Sequence, residues 1–161
     1  MTNPMDVIEL LERDHRRIDA LAEELEAADD PAECRRLFLT IVEELAAHEA
    51  AEQQVLFPAF RALVEAPDDS ILAHRLGEHE ELNDLLAEMR SLAPKGFGFT
   101  KRGSALMLDV KAHFLAEEET VFVRMREALC DADLAALGTR ALEAKRLSPA
   151  FPNEHPRLAD H

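Results

Sequence analysis

The sequence predicts an all-α protein that folds as an up-down-up-down four-helix bundle with a short extra C-terminal helix. Its 161 residues include only 5 Gly and no Trp or Tyr, whereas Ala, Leu and Glu, which favour helices, are abundant. Apolar residues recur in alternating steps of three and four along four long segments, which is the spacing of helices packed lengthwise in a bundle. The two halves of the chain also resemble each other weakly, as two copies of one helical hairpin would.

Prolines, glycines and small polar residues mark the predicted helix ends. The first helix is predicted to begin at Pro4, behind the capping residues Thr2 and Asn3, because proline is favoured in the first turn. Pro58 is expected to kink or end the second helix, because it lacks an N–H donor. The five predicted helices cover about residues 4–28, 31–57 with a remainder to 66, 71–93, 102–129 and 131–147.

The predicted helices form one domain, residues 1–147, which is a usual size for a single core. Residues 94–103 contain three glycines and a proline and are predicted to be the clearest loop of the chain. Residues 148–161, with three prolines, are predicted to be an irregular tail. The sequence therefore places any functional site within the bundle.

The charge of the chain excludes several classes of partner. With 18 Lys+Arg against 33 Asp+Glu the formal net charge is -15, which disfavours nucleic acids and anionic membrane surfaces, because both require basic clusters. No apolar run approaches the roughly 20 residues of a membrane span, and the N-terminal segment lacks the basic start of a signal peptide. Cys34 and Cys130 form no C-x-x-C motif and suggest no disulfide framework. We therefore expect a cytoplasmic protein.

Four histidines occupy positions where the helical pattern calls for apolar residues. They are His15, His48, His79 and His113, one on each long predicted helix. Within each predicted hairpin the two histidines lie at similar distances from the turn, so at roughly 1.5 Å per residue they are level within about one helical turn. The sequence therefore predicts four imidazoles in one layer of the core.

Two of these helices add a carboxylate at the same spacing. Glu52 follows His48 by four residues, and Glu117 follows His113 by four, which places each pair on one side of its helix. Buried carboxylates are costly unless they are paired or coordinate a cation, and neither stripe offers Lys or Arg at the neighbouring positions. Imidazole and carboxylate together suit iron or another first-row metal. Two metals bridged by the two glutamates would use all six side chains.

Competing interpretations of the same residues are weaker. A zincin needs H-E-x-x-H, and the run from His48 to Glu52 lacks the second histidine. A ferritin-like di-iron bundle needs two E-x-x-H motifs, and only Glu12-x-x-His15 fits. Outside the layer, ordinary surface or tail positions are expected for His74, Glu118, Glu119, His155 and His161.

The motifs together resemble the hemerythrin-like, or HHE cation-binding, domain family. The resemblance is carried by His15, His48-Glu49-Ala50-Ala51-Glu52, Glu78-His79-Glu80-Glu81-Leu82 and His113-Phe114-Leu115-Ala116-Glu117, and it extends from Asp6 to Met125. It implies a four-helix bundle holding two iron ions, bridged by carboxylates and by an oxo or hydroxo group. It also implies ligand roles: terminal ligands at His15, His48, His79 and His113, bridging ligands at Glu52 and Glu117, and a further position, Glu49, that ligates iron in some members.

One departure from the family pattern bears on function. Oxygen-carrying hemerythrins have a second histidine one turn from the third-helix ligand, whereas Arg75 and Asn83 lie four residues either side of His79. Fewer imidazoles and more carboxylate favour turnover or sensing over reversible oxygen carriage. The resemblance therefore implies a small ligand, namely dioxygen, hydrogen peroxide or nitric oxide, with peroxide or nitric oxide consumption as the enzymatic version and an unidentified redox partner.

Two further hypotheses remain open at the level of sequence. The chain could be an iron or redox sensor, or an oxygen-binding module, that performs no turnover. Alternatively it could be a helical adaptor whose core histidines bind no metal. The sequence chooses neither the physiological ligand nor the oligomeric state, and it assigns no role to the predicted fifth helix.

Overall fold

A computed structural model describes residues 4–63 and 69–149, and the regular elements in these ranges are all helical. In chain order they are α1 (Val7–Ala27), α2 (Pro31–Ala51), a π-helical segment (Glu52–Leu56), α3 (Phe57–Leu63), α4 (Asp69–Arg90), α5 (Phe97–Glu119), α6 (Val121–Ala128) and α7 (Asp131–Arg146). The elements α1, α2 with α3, α4, and α5 with α6 form the bundle, and α7 packs against α1, α2 and the π-helical segment. The predicted all-α four-helix bundle with an extra C-terminal helix is confirmed.

The first helix begins later than predicted. Pro4 lies outside it, and α1 starts behind Asp6, whose Oδ1 accepts a 2.8 Å hydrogen bond from the backbone N–H of Glu9. This carboxylate satisfies one of the unpaired donors of the first turn, so Asp6 is the capping residue. The predicted caps, Thr2 and Asn3, lie outside the described residues.

The loop predicted at residues 94–103 is shorter than expected. Helix α5 already begins at Phe97, so Gly98 and Gly103 are helical. A glycine inside a helix costs only about 1 kcal/mol, which tertiary packing can offset. Here the buried side chain of Phe99 anchors the first turn, and its ring contacts that of Phe38 at 5.3 Å.

The second and fourth predicted helices are each distorted close to a glutamate of the predicted layer of four histidines and two glutamates, which is called the polar layer below. These glutamates are Glu52 and Glu117. Residues Glu52–Leu56 form a π-helical turn, in which the N–H of Phe57 bonds to the carbonyl of Glu52 immediately before Pro58. The predicted distortion at Pro58 therefore takes the form of a π turn. The fourth helix, predicted to be continuous, is interrupted at Thr120, whose hydroxyl donates to the carbonyl of Ala116. Such hydroxyls bend helices because they compete for backbone acceptors.

Helix α7 is seated against the chain that enters α1. A Cβ atom on Gly138 would lie 2.0 Å from the carbonyl oxygen of Met5 and 3.0 Å from the carbonyl carbon of Asp6. Only glycine permits this approach between α7 and the incoming backbone. The rest of the α7 contact face is buried as well: Leu134, Leu137, Ala141 and Ala144.

The apolar interior consists of two clusters. One includes Ile8, Leu56 and Phe60 together with the buried face of α7, and the other includes Phe38 and Leu86. Along each long helix the histidine lies between residues of the two clusters. The polar layer therefore crosses the bundle between two apolar cores. None of the described helices is both long and apolar enough to span a membrane.

Candidate metal centre

The structure brings the four predicted histidines and the two predicted glutamates into one buried layer. None of the six side chains belongs to a residue more than 2% exposed. They come from every helix of the bundle: His15 from α1, His48 from α2, Glu52 from the π-helical segment, His79 from α4, and His113 and Glu117 from α5. The layer has no access to bulk water that could solvate these groups.

The imidazoles meet as two pairs, one from each helical hairpin. Nε2 of His15 lies 3.2 Å from Nε2 of His48, and these residues are called the first pair below. Nε2 of His79 lies 3.1 Å from Nε2 of His113, and these are the second pair. In both pairs the nitrogens face each other across the centre of the layer.

The outer nitrogen of each imidazole has its own partner. For three of the four histidines this partner is a carboxylate, at 3.0 Å for His15 with Glu118, 3.0 Å for His48 with Asp14 and 2.6 Å for His113 with Glu78. Nδ1 of His79 lies 2.9 Å from the side-chain amide of Gln53. Because a carboxylate only accepts, it keeps a proton on Nδ1, so a neutral ring directs the lone pair of its Nε2 at the centre of the layer. A cation could accept these lone pairs, and without one a proton on one ring of each pair lets the facing nitrogens hydrogen-bond.

Glu52 divides its two oxygens between the pairs. Its Oε1 lies 2.7 Å from Nε2 of His48, and its Oε2 lies 2.9 Å from Nε2 of His79. Oε1 of Glu117 lies 2.9 Å from Nε2 of His113 and 3.7 Å from Nε2 of His15. Both glutamates therefore reach across the centre toward both pairs.

The glutamate oxygens are close to nitrogens but lack directed hydrogen bonds. All four carboxylate oxygens of Glu52 and Glu117 are buried without a hydrogen-bond partner. One atom from each of His15, His48, Glu52 and Glu117 falls within 4.8 Å of the others, and so does one from each of Glu52, His79 and His113. Buried, unpartnered acceptors that converge in this way fit two cations, each held by imidazole and carboxylate.

In the protein without bound metal, the layer holds opposite charges close together. Burial disfavours an imidazolium at His48, but Glu52 and the other adjoining carboxylates outweigh it and keep the pKa of His48 well above its usual range. Likewise, Glu117 and Glu52 overcome burial at His113 and raise its pKa to about 10. Burial, reinforced by the charge of His48, lowers the pKa of His15 to about 2. The two pairs thus carry protons that a metal would displace.

The pKa values of the two glutamates in the layer are shifted in opposite directions. Burial raises the pKa of Glu117, and the neighbouring charge of Glu52 raises it further. For Glu52 itself the attraction of His48, with the close approach of Glu117 and His113, overcomes the effect of burial and keeps its pKa well below the usual range. One carboxylate of the pair is therefore ionised far more readily than the other.

Glu49, the seventh predicted ligand, lies beside the second pair. It is buried, its Oε2 accepts a 3.0 Å hydrogen bond from Nδ2 of Asn83, and its Oε1 has no hydrogen-bond partner. Burial raises the pKa of its carboxyl, whereas the nearby His79 acts in the opposite direction. Glu49 does not belong to either compact group of ligand atoms, but it offers one free oxygen close to them.

The two residues that replace the additional histidine have defined contacts. Asn83 holds Glu49, and Nη2 of Arg75 lies 2.9 Å from Oε1 of Glu78, the partner of His113. A cavity of about 260 Å³ adjoins this side of the centre. It is lined by His74, Arg75, Glu78, Glu81, Leu82, Asp109, Ala112 and Ala116.

Sequence reasoning missed the outer partners, and for Glu118 it was wrong. Glu118 was expected to be an ordinary surface acid, yet it bonds His15 while its side chain stays 39% exposed. The three other partners are sequence neighbours of the layer residues: Asp14 precedes His15, Gln53 follows Glu52, and Glu78 precedes His79. This adjacency is the signal that could have revealed them, although each of the three contacts a histidine of another helix.

Comparison with known proteins agrees with this geometry. The family model of the hemerythrin HHE cation binding domain matches residues 6–125. The chain belongs to this family. The matched range contains every residue of the polar layer and ends before α7, so the C-terminal helix lies beyond the part of the hemerythrin HHE domain that the family model describes.

Two individual proteins are similar to this HHE domain. A hemerythrin HHE cation binding domain-containing protein from Mycobacterium kansasii has a similar fold, with a TM-score of 0.76 at 22% identity, covering 88% of this chain and 86% of that one. A protein of Nostoc sp. named DNA nickase is 28% identical over 141 residues, or 88% of this chain. The chain spans only 39% of the length of that relative.

Proposed function

We propose that this HHE domain is a non-haem di-iron protein that reacts with a small ligand, namely dioxygen, hydrogen peroxide or nitric oxide. One observation carries the proposal. Two pairs of Nε2 atoms face each other at 3.1 and 3.2 Å, with carboxylates fixing the proton on the outer nitrogen of three of the four rings. A cation would take the place of the protons that the two pairs hold without metal, and the outer partners would keep each Nε2 directed at it.

The donor set supports two metal positions with different ligands. His15 and His48 would hold the first position, and the second position would be held by His79, His113 and Glu49. Glu52 and Glu117 would serve both, because their oxygens approach both pairs. Imidazole and carboxylate oxygens together are the donors of non-haem iron proteins. Iron would supply one-electron chemistry between its ferrous and ferric states.

The residues around the centre control what reaches it. On one side His15 is covered by the ring of Phe114, stacked at 3.8 Å, and by Phe122 at 5.6 Å. On the other side the cavity beside Glu78 and Arg75 gives a small molecule a polar approach. We infer that this cavity admits the ligand, while the aromatic rings keep bulk water away from the first pair.

The absence of an additional histidine beside His79 favours consumption of the ligand over its storage. Asn83 instead orients Glu49 toward the second pair, and the added negative charge favours the ferric state. We therefore place peroxide or nitric oxide consumption ahead of reversible oxygen binding. A cytoplasmic location, where an unidentified redox partner could restore the ferrous state, belongs to the same proposal.

Metal analysis tests the proposal directly. Purified protein loaded anaerobically with ferrous iron should hold two ions per chain by elemental analysis. His48→Ala and His113→Ala should each reduce this well below two, because each removes a proposed ligand. Arg36→Ala is the control, since Arg36 is exposed and pairs with Glu33 in the first turns of α2, away from the layer. Equal iron in all variants would overturn the site assignment.

Adding ligands to the iron-loaded protein separates the three reactions. Peroxide, nitric oxide and air would be added to separate samples, with the loss of each followed over time. Repeated turnover of peroxide or nitric oxide would support an enzyme. Stable binding without consumption would support the alternative, an iron or redox sensor, and would overturn the enzymatic form of the proposal.

A DNA-directed activity, which the name of the Nostoc relative states, is not part of the function proposed for this chain. The net charge of -15 opposes binding to DNA, because phosphate contacts rely on Lys and Arg. A small neutral or singly charged ligand is the better match to the enclosed centre. Measuring retention on immobilised duplex DNA at low salt would check this, with weak retention expected.

A further inference from the structure

The last turn of α7 reaches the first pair through one carboxylate. Nζ of Lys145 is ion-paired with Oδ1 of Asp14, whose Oδ2 accepts a 3.0 Å hydrogen bond from Nδ1 of His48. Asp14 is 5% exposed and the Lys145 side chain is 17% exposed. The three groups therefore form a continuous chain from α7 through α1 to α2, with each oxygen of Asp14 serving one partner.

The helix that carries Lys145 is held in a fixed place. Gly138 allows α7 to touch the backbone at Met5, and the apolar face of α7 is buried against the bundle. Helix α7 also lies beyond residues 6–125, which the family model matches. The lysine is thus delivered by an element additional to the matched domain.

We propose that Lys145 is a positioning residue for the first metal position, acting through Asp14 on the orientation and proton of His48. This inference rests on the proposed function, since it assumes that His48 is a ligand. Metal-binding histidines depend on the acceptor at their other nitrogen, which sets the ring orientation and keeps the free lone pair directed at the metal. Lys145 holds this acceptor, Asp14, in place through the oxygen that does not contact His48.

The second pair shows that a cation behind the acceptor is a repeated arrangement. Glu78, the partner of His113, is contacted by Arg75 at 2.9 Å. Arg75 belongs to the same helix as Glu78, three residues earlier, so this contact is local. Lys145 is 131 residues from Asp14 and supplies the equivalent charge through tertiary packing.

Without Lys145 the carboxylate of Asp14 would lose its anchor. Oδ1 would then be a buried acceptor without a partner, and the group would rotate or shift to recover one. Such a movement would loosen the hydrogen bond to His48. Loss of an outer partner typically lowers metal affinity by about ten- to one-hundredfold.

The test is an anaerobic titration of the metal-free full chain with ferrous iron at a temperature well below unfolding. Lys145→Met should weaken the more affected binding step by about tenfold or more, whereas Lys145→Arg should recover most of the affinity. Arg146→Met is the matched control, because Arg146 pairs with Glu143 on the exposed face of the same helix turn. Melting of each metal-free variant shows whether α7 remains folded.

A double-mutant cycle decides whether Lys145 acts through Asp14. In a chain that carries Asp14→Asn, adding Lys145→Met should cause no further loss of affinity. Independent, additive losses would overturn the proposal, and so would wild-type affinity in Lys145→Met. A wild-type chain that binds no metal would instead overturn the proposed function, and this inference with it. The two failures are distinguished by the wild-type titration alone.

Discussion

The two halves of the polar layer share a histidine pattern but differ in what surrounds it. In the first half, the ring of Phe114 stacks on His15 with an interplanar angle of 10°. The residue that follows His48, equivalent to Phe114, is Glu49, and it lies beside the second pair. The two hairpins thus share their histidines but differ at the residue that follows the histidine of the second helix. This residue is a carboxylate, Glu49, in the first hairpin and an aromatic ring, Phe114, in the second.

The outer partners differ in charge as well. Nδ1 of His15 faces the carboxylate of Glu118, whereas Nδ1 of His79 faces the neutral amide of Gln53. Glu118 and Gln53 each directly follow a glutamate of the layer, so they are equivalent in the repeat. The first half therefore has stronger outer acceptors than the second. Four predictions test this comparison.

Glu52 is shared by both halves, so its loss should have the largest effect. Glu52→Gln should lower the affinity of both positions by more than about a hundredfold, which exceeds the loss typical of outer partners. The measurement is the number of iron ions retained after dialysis. Glu44→Gln is the control, because Glu44 only pairs with Arg17 away from the layer. A Glu52→Gln chain that still held two ions would contradict the shared role.

Glu49 should matter for the second half alone. In a chain carrying His15→Ala, which keeps the second pair, Glu49→Gln should weaken the remaining ion by about tenfold or more. In a chain carrying His79→Ala, the same change should have little effect. Both double variants would be titrated with ferrous iron. Equal losses in the two backgrounds would show that Glu49 does not distinguish the halves.

The stability of the metal-free chain should depend on pH in opposite directions at His15 and at His113. Folded His15 takes up a proton only near pH 2, whereas the unfolded residue does so near 6.5, so acidification below 6.5 favours unfolding. Folded His113 keeps its proton to about pH 10, so its contribution to stability is complete below 6.5 and is lost as the pH rises through 10.

Urea unfolding of metal-free protein across this pH range measures both effects. His15→Leu should flatten the acid side of the stability profile, and His113→Leu should flatten the alkaline side. Arg36→Leu, at an exposed position away from the layer, should leave the shape unchanged. Identical profiles for the two variants would show that His15 and His113 do not differ in protonation.

Exchanging the outer partners should have the smallest effect. Glu118→Gln gives the first half a neutral partner, and Gln53→Glu gives the second half a charged one. Each should change the affinity of its own position by less than about tenfold, because Glu118 is partly exposed and water can replace it. Glu119→Gln is the control. A larger loss for Glu119→Gln than for Glu118→Gln would contradict the assignment.

The histidine layer could be predicted because it interrupts a regular pattern. His48 and Glu52 lie on an otherwise apolar helical stripe, so spacing alone brings them together in the core. The contact of Lys145 with Asp14 depends on how α7 docks, and no local pattern encodes a contact between residues so far apart. Glu118 was missed because it lies off the stripe of His113 and reaches His15 on another helix.

Helix ends were predicted less well than the layer, for a physical reason. The start of α5 at Phe97 depends on the buried ring of Phe99, which overrides the helix-breaking tendency of glycine. The break at Thr120 comes with a hydroxyl bond that Thr40 and Thr139 also make inside unbroken helices, so no local signal in the sequence marks it. The spacing of apolar residues predicts which face of a helix is buried, but it carries little information about the residue at which the helix begins or ends.

The position of the polar layer between two apolar clusters has a mechanical consequence. Apolar side chains hold each end of the bundle together, whereas the middle of the bundle is held mainly by the histidines and carboxylates of the polar layer. Cations bound by residues of all four long helices would hold the helices together in this region. Amide hydrogen exchange near His15 and His113 should therefore slow on metal loading more than exchange near Phe38 or Phe60. Metal binding would therefore change the local stability of the middle of the bundle more than that of its two ends.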